Sequence, residues 1–152
     1  MERDLGNIKT KIGITASTFD LLHAGHIAML KECKEYCEYL IVGLHIDPTI
    51  DRPTIKNKPV QSVYERYLQL KGCEYVDDII PYDTEQDLEN LLCIEDISIR
   101  FLGEEYNNSK EKYIDITGES ICNERNITIY FTSRKHTFSS SELRNRINES
   151  HR

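Results

Sequence analysis

Two histidines, His23 and His26, stand three residues apart around Gly25, where an apolar segment gives way to a helical pattern. At this spacing both rings can face one point near a helix N-terminus, where free backbone N–H groups and the helix dipole favour an anion. Two imidazole donors there suit a phosphate that gains charge during a reaction, and a glycine lets a ligand approach the backbone closely. A zinc site is the alternative, with Asp20 as the nearest acidic candidate and no third strong ligand evident.

A run of three serines, Ser139 to Ser141, opens the last helical pattern of the chain and follows Arg134. Hydroxyls and free N–H groups converge at such a helix start, and an arginine offers a fork of donors to phosphate oxygens. A serine run is also an ordinary N-cap. Because this one follows the last strand pattern and accompanies the two histidines, it predicts a second phosphate clamp.

Lys56 and Lys58 lie in one of two irregular segments, 47–60, the other being 103–118. A domain of this size rarely carries loops of that length without a use for them. In an open α/β sheet such loops gather at the carboxyl ends of the strands, where ligands bind. The two lysines therefore belong either to a binding site or to an ordinary solvated loop.

The composition limits the classes of function. The chain has 152 residues, of which 26 are acidic and 19 basic, and a formal charge of −7. That balance argues against a protein that binds the nucleic-acid backbone, but it leaves room for a small anion in a locally basic pocket. No stretch approaches the ~20 apolar residues that span a bilayer.

The N-terminus and the cysteines indicate a cytoplasmic protein. The chain is charged from its second residue and lacks the apolar run of a signal peptide. Its five cysteines include no CxxC pair, which is typical of reduced thiols. Cys33 and Cys37, at helical spacing, fit small core residues better than half of a metal site, because no partner pair stands at ligand spacing.

Apolar, β-rich segments alternate with helical patterns along the whole chain. Strands are predicted at 11–16, 39–44, 75–80, 97–102 and 126–132. Helices are predicted at about 25–37, 62–72 and 84–93 and after Ser139, with capping boxes at Ser62, Thr84 and Ser139, and with Leu143 and Ile147 on the buried face of the last helix. This order predicts one α/β domain over 1–152, a Rossmann-like parallel sheet of about five strands with helices on both faces and peripheral tails at 1–10 and 149–152.

The motif TFDLLHAGH, residues 18–26 at the first strand–helix junction, resembles the signature of the HxGH nucleotidyltransferases. The likeness covers about 11–148 and is strongest to the cytidylyltransferases that act on glycerol 3-phosphate, phosphocholine and phosphoethanolamine. Later segments similar to that family are EYLIVGLHID (38–47), VYERYLQLKGCEYVDDIIP (63–81), FLG (101–103) before an acidic pair, and RKHTFSSS (134–141).

The resemblance implies transfer of CMP from CTP to a small phosphorylated alcohol, similar to glycerol 3-phosphate, with release of pyrophosphate and help from Mg²⁺. It also implies a homodimer, and the composition described above leads us to expect no binding to nucleic acid or membrane. The implied catalytic residues are His23, His26, Lys58 and Arg134, and the implied acceptor-binding residues are Lys56 and Arg66. The implied nucleotide-binding residues are Thr18, Phe19, His23, Ala24, Gly25, His26, Lys58, Gly103, Arg134, Lys135, Ser139, Ser140 and Ser141.

The chain departs from the family pattern at three positions that bear on the substrate. Ser17 replaces the glycine before TFD, and Ala24 replaces a bulky residue inside HxGH. Asp87 stands where the glycerol-phosphate enzyme has a basic residue, for which Lys110 or Lys112 are candidate replacements. Two alternatives stay open: an adenylyltransferase that uses ATP, because these motifs bind phosphates and do not report the base, and a nucleotide-binding module without catalysis.

Overall fold

The apolar segments of the chain form the strands β1 (Ile12–Ser17), β2 (Tyr39–His45), β3 (Asp78–Tyr82), β4 (Ile99–Gly103) and β5 (Thr128–Thr132). They pair in parallel in the order β3-β2-β1-β4-β5. The structure is a computed structural model that describes residues 10–107, 116–133 and 136–150. β1 lies at the centre of the sheet, and the strand order reverses between β1 and β4. In sheets of this kind a ligand crevice forms at the carboxyl end of that switch point.

Helices cover both faces of the sheet. Within the described ranges they are α1 (Ala24–Glu35), α2 (Val63–Lys71), α3 (Glu85–Ile94), α4 (Glu119–Glu124) and α5 (Ser140–Ser150), with a 3₁₀ turn at Glu104–Tyr106. Leu30 of α1 and Leu70 of α2 pack in one buried cluster, and Leu92 of α3 and Cys122 of α4 belong to another. The predicted α/β fold, a five-stranded parallel sheet between two helical layers, is confirmed. None of the helices in the described part of the chain is long and apolar enough to cross a membrane.

Capping fixes where the middle helices begin. The Ser62 hydroxyl accepts the Glu65 N–H, and the Thr84 hydroxyl accepts the Asp87 N–H, each at 3.2 Å, with the acidic side chain bonding back in both cases. Both predicted capping boxes are therefore confirmed. At α5 the Ser139 hydroxyl accepts the Glu142 N–H at 3.0 Å.

Three features differ from the expected element pattern. β3 begins at Asp78 rather than at Tyr75, because the Val76 N–H bonds the Cys73 carbonyl at 3.2 Å and so continues a turn after α2. The short helix α4 was not predicted, since six residues carry too little periodicity to be read from the sequence. α5 has no buried residue, and Ile147 is 48% exposed, so the predicted buried face of this helix is wrong.

Arg66 in α2 is 2% exposed and ties three chain segments together. Its guanidinium donates to the carbonyls of Thr18 at 3.0 Å, His45 at 2.7 Å and Ile46 at 2.6 Å, and its Nε donates to Gln61 O at 3.2 Å. Those carbonyls lie just beyond β1, at the end of β2 and just before α2. Main-chain oxygens thus take up the guanidinium, and the predicted role of Arg66 in acceptor binding stays a prediction.

We predict that Arg66→Met lowers the free energy of unfolding by about 3 kcal/mol or more, because several carbonyls lose a buried charged donor together. Urea denaturation measures the loss, which corresponds to a Tm about 6–12 °C lower in a domain of this size. Arg146→Met, at an arginine whose side chain is 61% exposed, is the matched control and should change stability little. If the stability is unchanged and the KM for the acceptor rises, Arg66 binds the acceptor and the structural role is contradicted.

Candidate active site

A pocket of about 380 Å³ opens at the carboxyl edge of the sheet. The residue after β1 and the ends of β2 and β4 contribute Thr18, His45 and Gly103 to its wall, and the N-terminal ends of α1 and α5 contribute His26 and Ser140. Its position is the one that the strand order favours for a ligand.

His23 and His26 cap α1 reciprocally. The Nδ1 atom of His23 accepts the Gly25 N–H at 3.0 Å, and the Nδ1 atom of His26 accepts the His23 N–H at 3.2 Å. A ring nitrogen that accepts carries no proton, so these bonds assign the proton of each neutral ring to Nε2. The ring centroids lie 4.0 Å apart and both side chains line the pocket. The site thus holds two imidazole N–H donors side by side.

The surroundings of His26 keep its ring neutral at physiological pH. Burial first, and then the neighbouring His23, lower the pKa of His26 from 6.5 to about 4, against an opposing effect of the Asp20 carboxylate. A neutral ring brings no fixed positive charge to the pocket. It stabilises negative charge through its Nε2–H hydrogen bond.

The N-terminus of α5 meets that of α1 across the pocket. The Nε2 atom of His23 lies 3.1 Å from Ser140 Oγ, and the tautomer above makes His23 the donor. Ser139 and Ser140 both line the pocket. The free N–H groups of two helices therefore point at one space, which favours an anion with several oxygens.

The loop between β1 and α1 is strained and clamped. Phe19 and Leu21 have left-handed backbones with φ of 51° and 54°, which costs a non-glycine residue roughly 1–2 kcal/mol. The Asp20 carboxylate accepts the N–H groups of Val60 at 2.8 Å and Gln61 at 2.9 Å and lies 3.4 Å from an Arg144 nitrogen. These contacts hold the loop in the conformation that presents the two histidines.

Gly25 leaves room for the capping ring. A Cβ atom at this position would lie 2.8 Å from His23 Cε1 and 3.0 Å from the Phe138 carbonyl oxygen. Both separations are too short for a side chain to be added without movement of its neighbours. Gly25 thus lets the His23 ring and the segment before α5 lie close to the helix start. This role adds to the close approach of a ligand that the sequence led us to expect.

The structure brings most of the described candidate residues together in the pocket. The lining contains Thr18, His23, Gly25, His26, Lys56, Gly103, Ser139 and Ser140. Outside the lining lie Phe19, Ala24, Lys58, Arg66 and Ser141. Phe19 is 1% exposed and packs in the core, 5.5 Å from the His26 ring centroid. Arg134 and Lys135 lie outside the described residues.

The further polar residues of the wall that were not anticipated include His45, Arg52, Tyr82 and Arg100. Arg100 and His45 are each 5% exposed, and the His45 ring stacks on that of Tyr82 with centroids 4.5 Å apart. A charged residue inside the apolar pattern 97–102 is a signal that could have identified Arg100, since buried strands rarely hold an arginine without a role.

The described residues include no group of three or more His, Cys, Asp or Glu side chains placed to hold a metal ion. Asp20, the acidic candidate for a zinc site, bonds main-chain N–H groups instead. Burial raises the pKa of the Cys33 thiol, and its Sγ lies 3.5 Å from the Met29 sulfur. Cys37 bonds the Cys33 carbonyl, so both thiols are core groups rather than ligands.

Comparison with known proteins identifies a family whose model matches most of this chain. The family model described as cytidylyltransferase-like matches residues 14–146. Among curated proteins, the ethanolamine-phosphate cytidylyltransferase of Arabidopsis thaliana is 36% identical over 72 residues, which are 45% of this chain and 17% of that protein. The bifunctional protein HldE of Helicobacter hepaticus is 33% identical over 103 residues, 67% of this chain and 21% of that protein. The chain thus spans about a fifth of the length of these relatives.

Solved structures share the fold. A lipopolysaccharide core biosynthesis protein from Thermoplasma volcanium superposes with a TM-score of 0.66 at 22% identity, covering 84% of this chain and 100% of that one. Pantothenate synthetase from Thermus thermophilus superposes with a TM-score of 0.56 at 11% identity, covering 90% of this chain and 64% of that one.

The lowered pKa of His26 predicts a dependence of stability on pH. The unfolded chain takes up a proton near pH 6.5 and the folded one only near pH 4, so stability falls as the pH drops through this window. Between pH 7 and pH 5 the wild type should lose about 2 kcal/mol more than His26→Asn, whose amide oxygen can still accept the His23 N–H. Urea denaturation at the two pH values measures the difference, and parallel losses in both proteins would contradict it.

Proposed function

Because the chain belongs to the cytidylyltransferase-like family, we propose that it transfers CMP from CTP to a small phosphorylated alcohol and releases pyrophosphate. The observation that carries this proposal is the pair of imidazole Nε2–H donors between two helix N-termini. The likeness to ethanolamine-phosphate cytidylyltransferases supports a phosphorylated small molecule as acceptor. A glycerol 3-phosphate-like acceptor is the finer form of the proposal.

In the proposed reaction a phosphate oxygen of the acceptor attacks the α-phosphorus of CTP in line. A new P–O bond forms as the bond from the α-phosphorus to the bridging oxygen breaks, and the electron pair leaves with pyrophosphate. Negative charge builds on the α-phosphate oxygens in the transition state. The Nε2–H group of His26 would donate to those oxygens, and that of His23 would exchange its bond to Ser140 Oγ for a bond to the same oxygens. Both rings need little reorganisation because their Nδ1 atoms are already fixed in the helix cap.

Other residues would align the substrates. The N-terminus of α5, with Ser139 and Ser140, would bind the β- and γ-phosphates, assisted by Arg134 and Lys58. Lys56 lines the pocket and would approach the acceptor phosphate. Lys58 lies outside the lining, near enough to Asp47 to help lower the pKa of that carboxyl, after the stronger hydrogen bonds from Thr49.

Magnesium would enter as part of the substrate. Mg²⁺ is usually held by substrate phosphates and one or two carboxylates, and it neutralises charge on the leaving pyrophosphate. The pocket wall offers Glu85, Glu104 and Glu105 without a dedicated protein site among the described residues, which fits an ion that arrives with CTP.

The proposal includes a homodimer in the cytoplasm. Exposed apolar side chains at Ile55, Val60, Tyr64 and Leu68 supply surface for a second subunit. The cysteines are free, as expected in a reducing compartment. Sedimentation analysis measures the oligomeric state directly.

A cytidine nucleotide should stabilise the protein more than an adenine nucleotide. CTP with Mg²⁺ is expected to raise Tm more than ATP at equal concentration, since a ligand that binds only the native state stabilises it by mass action. Thermal denaturation with UTP as a third nucleotide separates base recognition from phosphate binding. An equal or larger shift with ATP would overturn the cytidine assignment in favour of an adenylyltransferase.

Replacing either histidine should impair turnover and spare nucleotide binding. His23→Asn and His26→Asn keep an acceptor for the helix cap but lose the Nε2 donor, so kcat should fall by about 10²–10³ while the Kd for CTP changes little. Steady-state kinetics and calorimetry measure the two effects, with Lys31→Gln on the exposed face of α1 as the control. Near-normal turnover in either asparagine variant would remove that histidine from the mechanism.

A further inference from the structure

Arg100 stands between two isoleucines, Ile14 and Ile129, in a row of the sheet that ends at Asp78 of β3. Across the sheet Ile41 pairs with Ile14, Ile14 with Arg100, and Arg100 with Ile129. Residues paired in this way share one face of the sheet, and this face packs in the cluster that contains Leu92 of α3. Packing alone would therefore favour an aliphatic side chain at position 100.

Burying this guanidinium is costly. Arg100 is 5% exposed, and its side chain donates to the Thr117 carbonyl. Within the described ranges no carboxylate forms an ion pair with it. Burial of a charge is unfavourable unless the charge is paired, and Arg100 lines the pocket. Arg100 thus places a buried cation in the wall of a pocket that a ligand can fill.

A second guanidinium converges on the same place. Arg52 lies 3.5 Å from the hydroxyl of Thr117, whose carbonyl accepts the Arg100 bond, and 3.5 Å from a Glu85 carboxylate oxygen. Glu85 offsets one of the two charges. Two cations in a partly buried site repel each other, and an oxyanion between them relieves that repulsion.

The neighbouring helix N-terminus is already satisfied. The Asp51 carboxylate accepts the Glu85 N–H at 2.6 Å, and the Thr84 hydroxyl accepts the Asp87 N–H at 3.2 Å. Asp87, at the position where the resemblance leads us to expect a basic residue, is used in this cap. The positive charge on this side of the pocket therefore comes from Arg52 and Arg100.

Tyr82 completes the wall beside the two arginines. It is 6% exposed, and burial, with the Glu85 carboxylate as a second cause, raises the pKa of its phenol against the opposing effect of Arg100. The phenol therefore keeps its proton at neutral pH and can donate a hydrogen bond to a ligand oxygen.

We propose that Arg100 and Arg52 bind an oxyanion of the acceptor in the transferase reaction. This inference rests on the proposed function and goes beyond it by adding two arginines to Lys56 in the recognition of the acceptor. The oxyanion is either the attacking phosphate itself or a second phosphate or carboxylate on the same molecule. In both cases an ammonium group cannot occupy the place between the arginines.

Arg100→Ile separates recognition from folding. Isoleucine matches the neighbouring row, so Tm should hold or rise, while the acceptor KM should rise roughly tenfold or more, with little change in the KM for CTP. Arg52 is the more exposed member of the pair, and Arg52→Gln should raise the acceptor KM in the same way. This variant tests the proposal independently if Arg100→Ile folds poorly. Arg125→Gln, an exposed arginine after α4, is the control for loss of charge. A lowered Tm with unchanged acceptor KM in both pocket variants would make the pair structural and overturn the proposal.

Three acceptors distinguish the source of the oxyanion. Glycerol 3-phosphate carries one oxyanion, 3-phosphoglycerate adds a carboxylate, and phosphoethanolamine adds an ammonium. A similar rise in KM for all three in Arg100→Ile indicates the attacking phosphate, and a rise confined to 3-phosphoglycerate indicates the second group. Both results support the site. A rise only in the KM for CTP, or in none of the substrates, overturns it.

Calorimetry keeps this test independent of turnover. Glycerol 3-phosphate or 3-phosphoglycerate titrated without nucleotide should bind wild type and Arg125→Gln alike, and Arg100→Ile at least tenfold more weakly. If no nucleotide supports turnover, the proposed function fails, yet this loss of binding would still support the oxyanion site. Equal binding to wild type and Arg100→Ile overturns the site even where turnover is normal.

Discussion

The first turn of α1 needs acceptors for its free N–H groups, and imidazole Nδ1 atoms provide them. This one choice of capping group fixes the rest of the site. It orients both rings, assigns their protons to Nε2 and directs those protons toward the pocket. An aspartate would cap the helix equally well but would leave no neutral donor behind. Helix initiation and the proposed phosphate recognition therefore depend on the same two side chains.

The chain around the two histidines contains strained backbone and a buried charge, which hold that arrangement in place. Phe19 and Leu21 adopt left-handed backbones, and the bonds of Asp20 to the 60–61 segment hold them there. The buried guanidinium of Arg66 donates to the carbonyl of Thr18, which follows β1, and to that of His45, which ends β2. Strained backbone that is held by rigid contacts is common at functional sites. It keeps hydrogen-bond donors in position, so that they need little rearrangement during a reaction.

The sequence was informative where one local rule decides the outcome. Alternation of apolar segments predicted the parallel sheet, and capping boxes located the starts of α2 and α3. The histidine spacing also placed both rings at a helix N-terminus. The sequence was uninformative where contacts between distant segments decide. The guanidinium of Arg66 bonds carbonyls up to 48 residues away, and Arg100 faces the pocket only because β4 lies beside β1. Neither relation can be read from local spacing.

The weak attachment of α5 has a consequence for how the protein would fail under stress. No residue of this helix is buried, and polar contacts such as Ser140 with His23 and Arg144 with Asp20 link it to the rest of the fold. Segments with so little apolar burial detach in sub-global openings well before the core unfolds. Mild denaturant would then release α5 and remove one wall of the pocket while the sheet stays intact. Loss of ligand binding would precede loss of secondary structure, and amide exchange in α5 would be fast compared with β1 and β2.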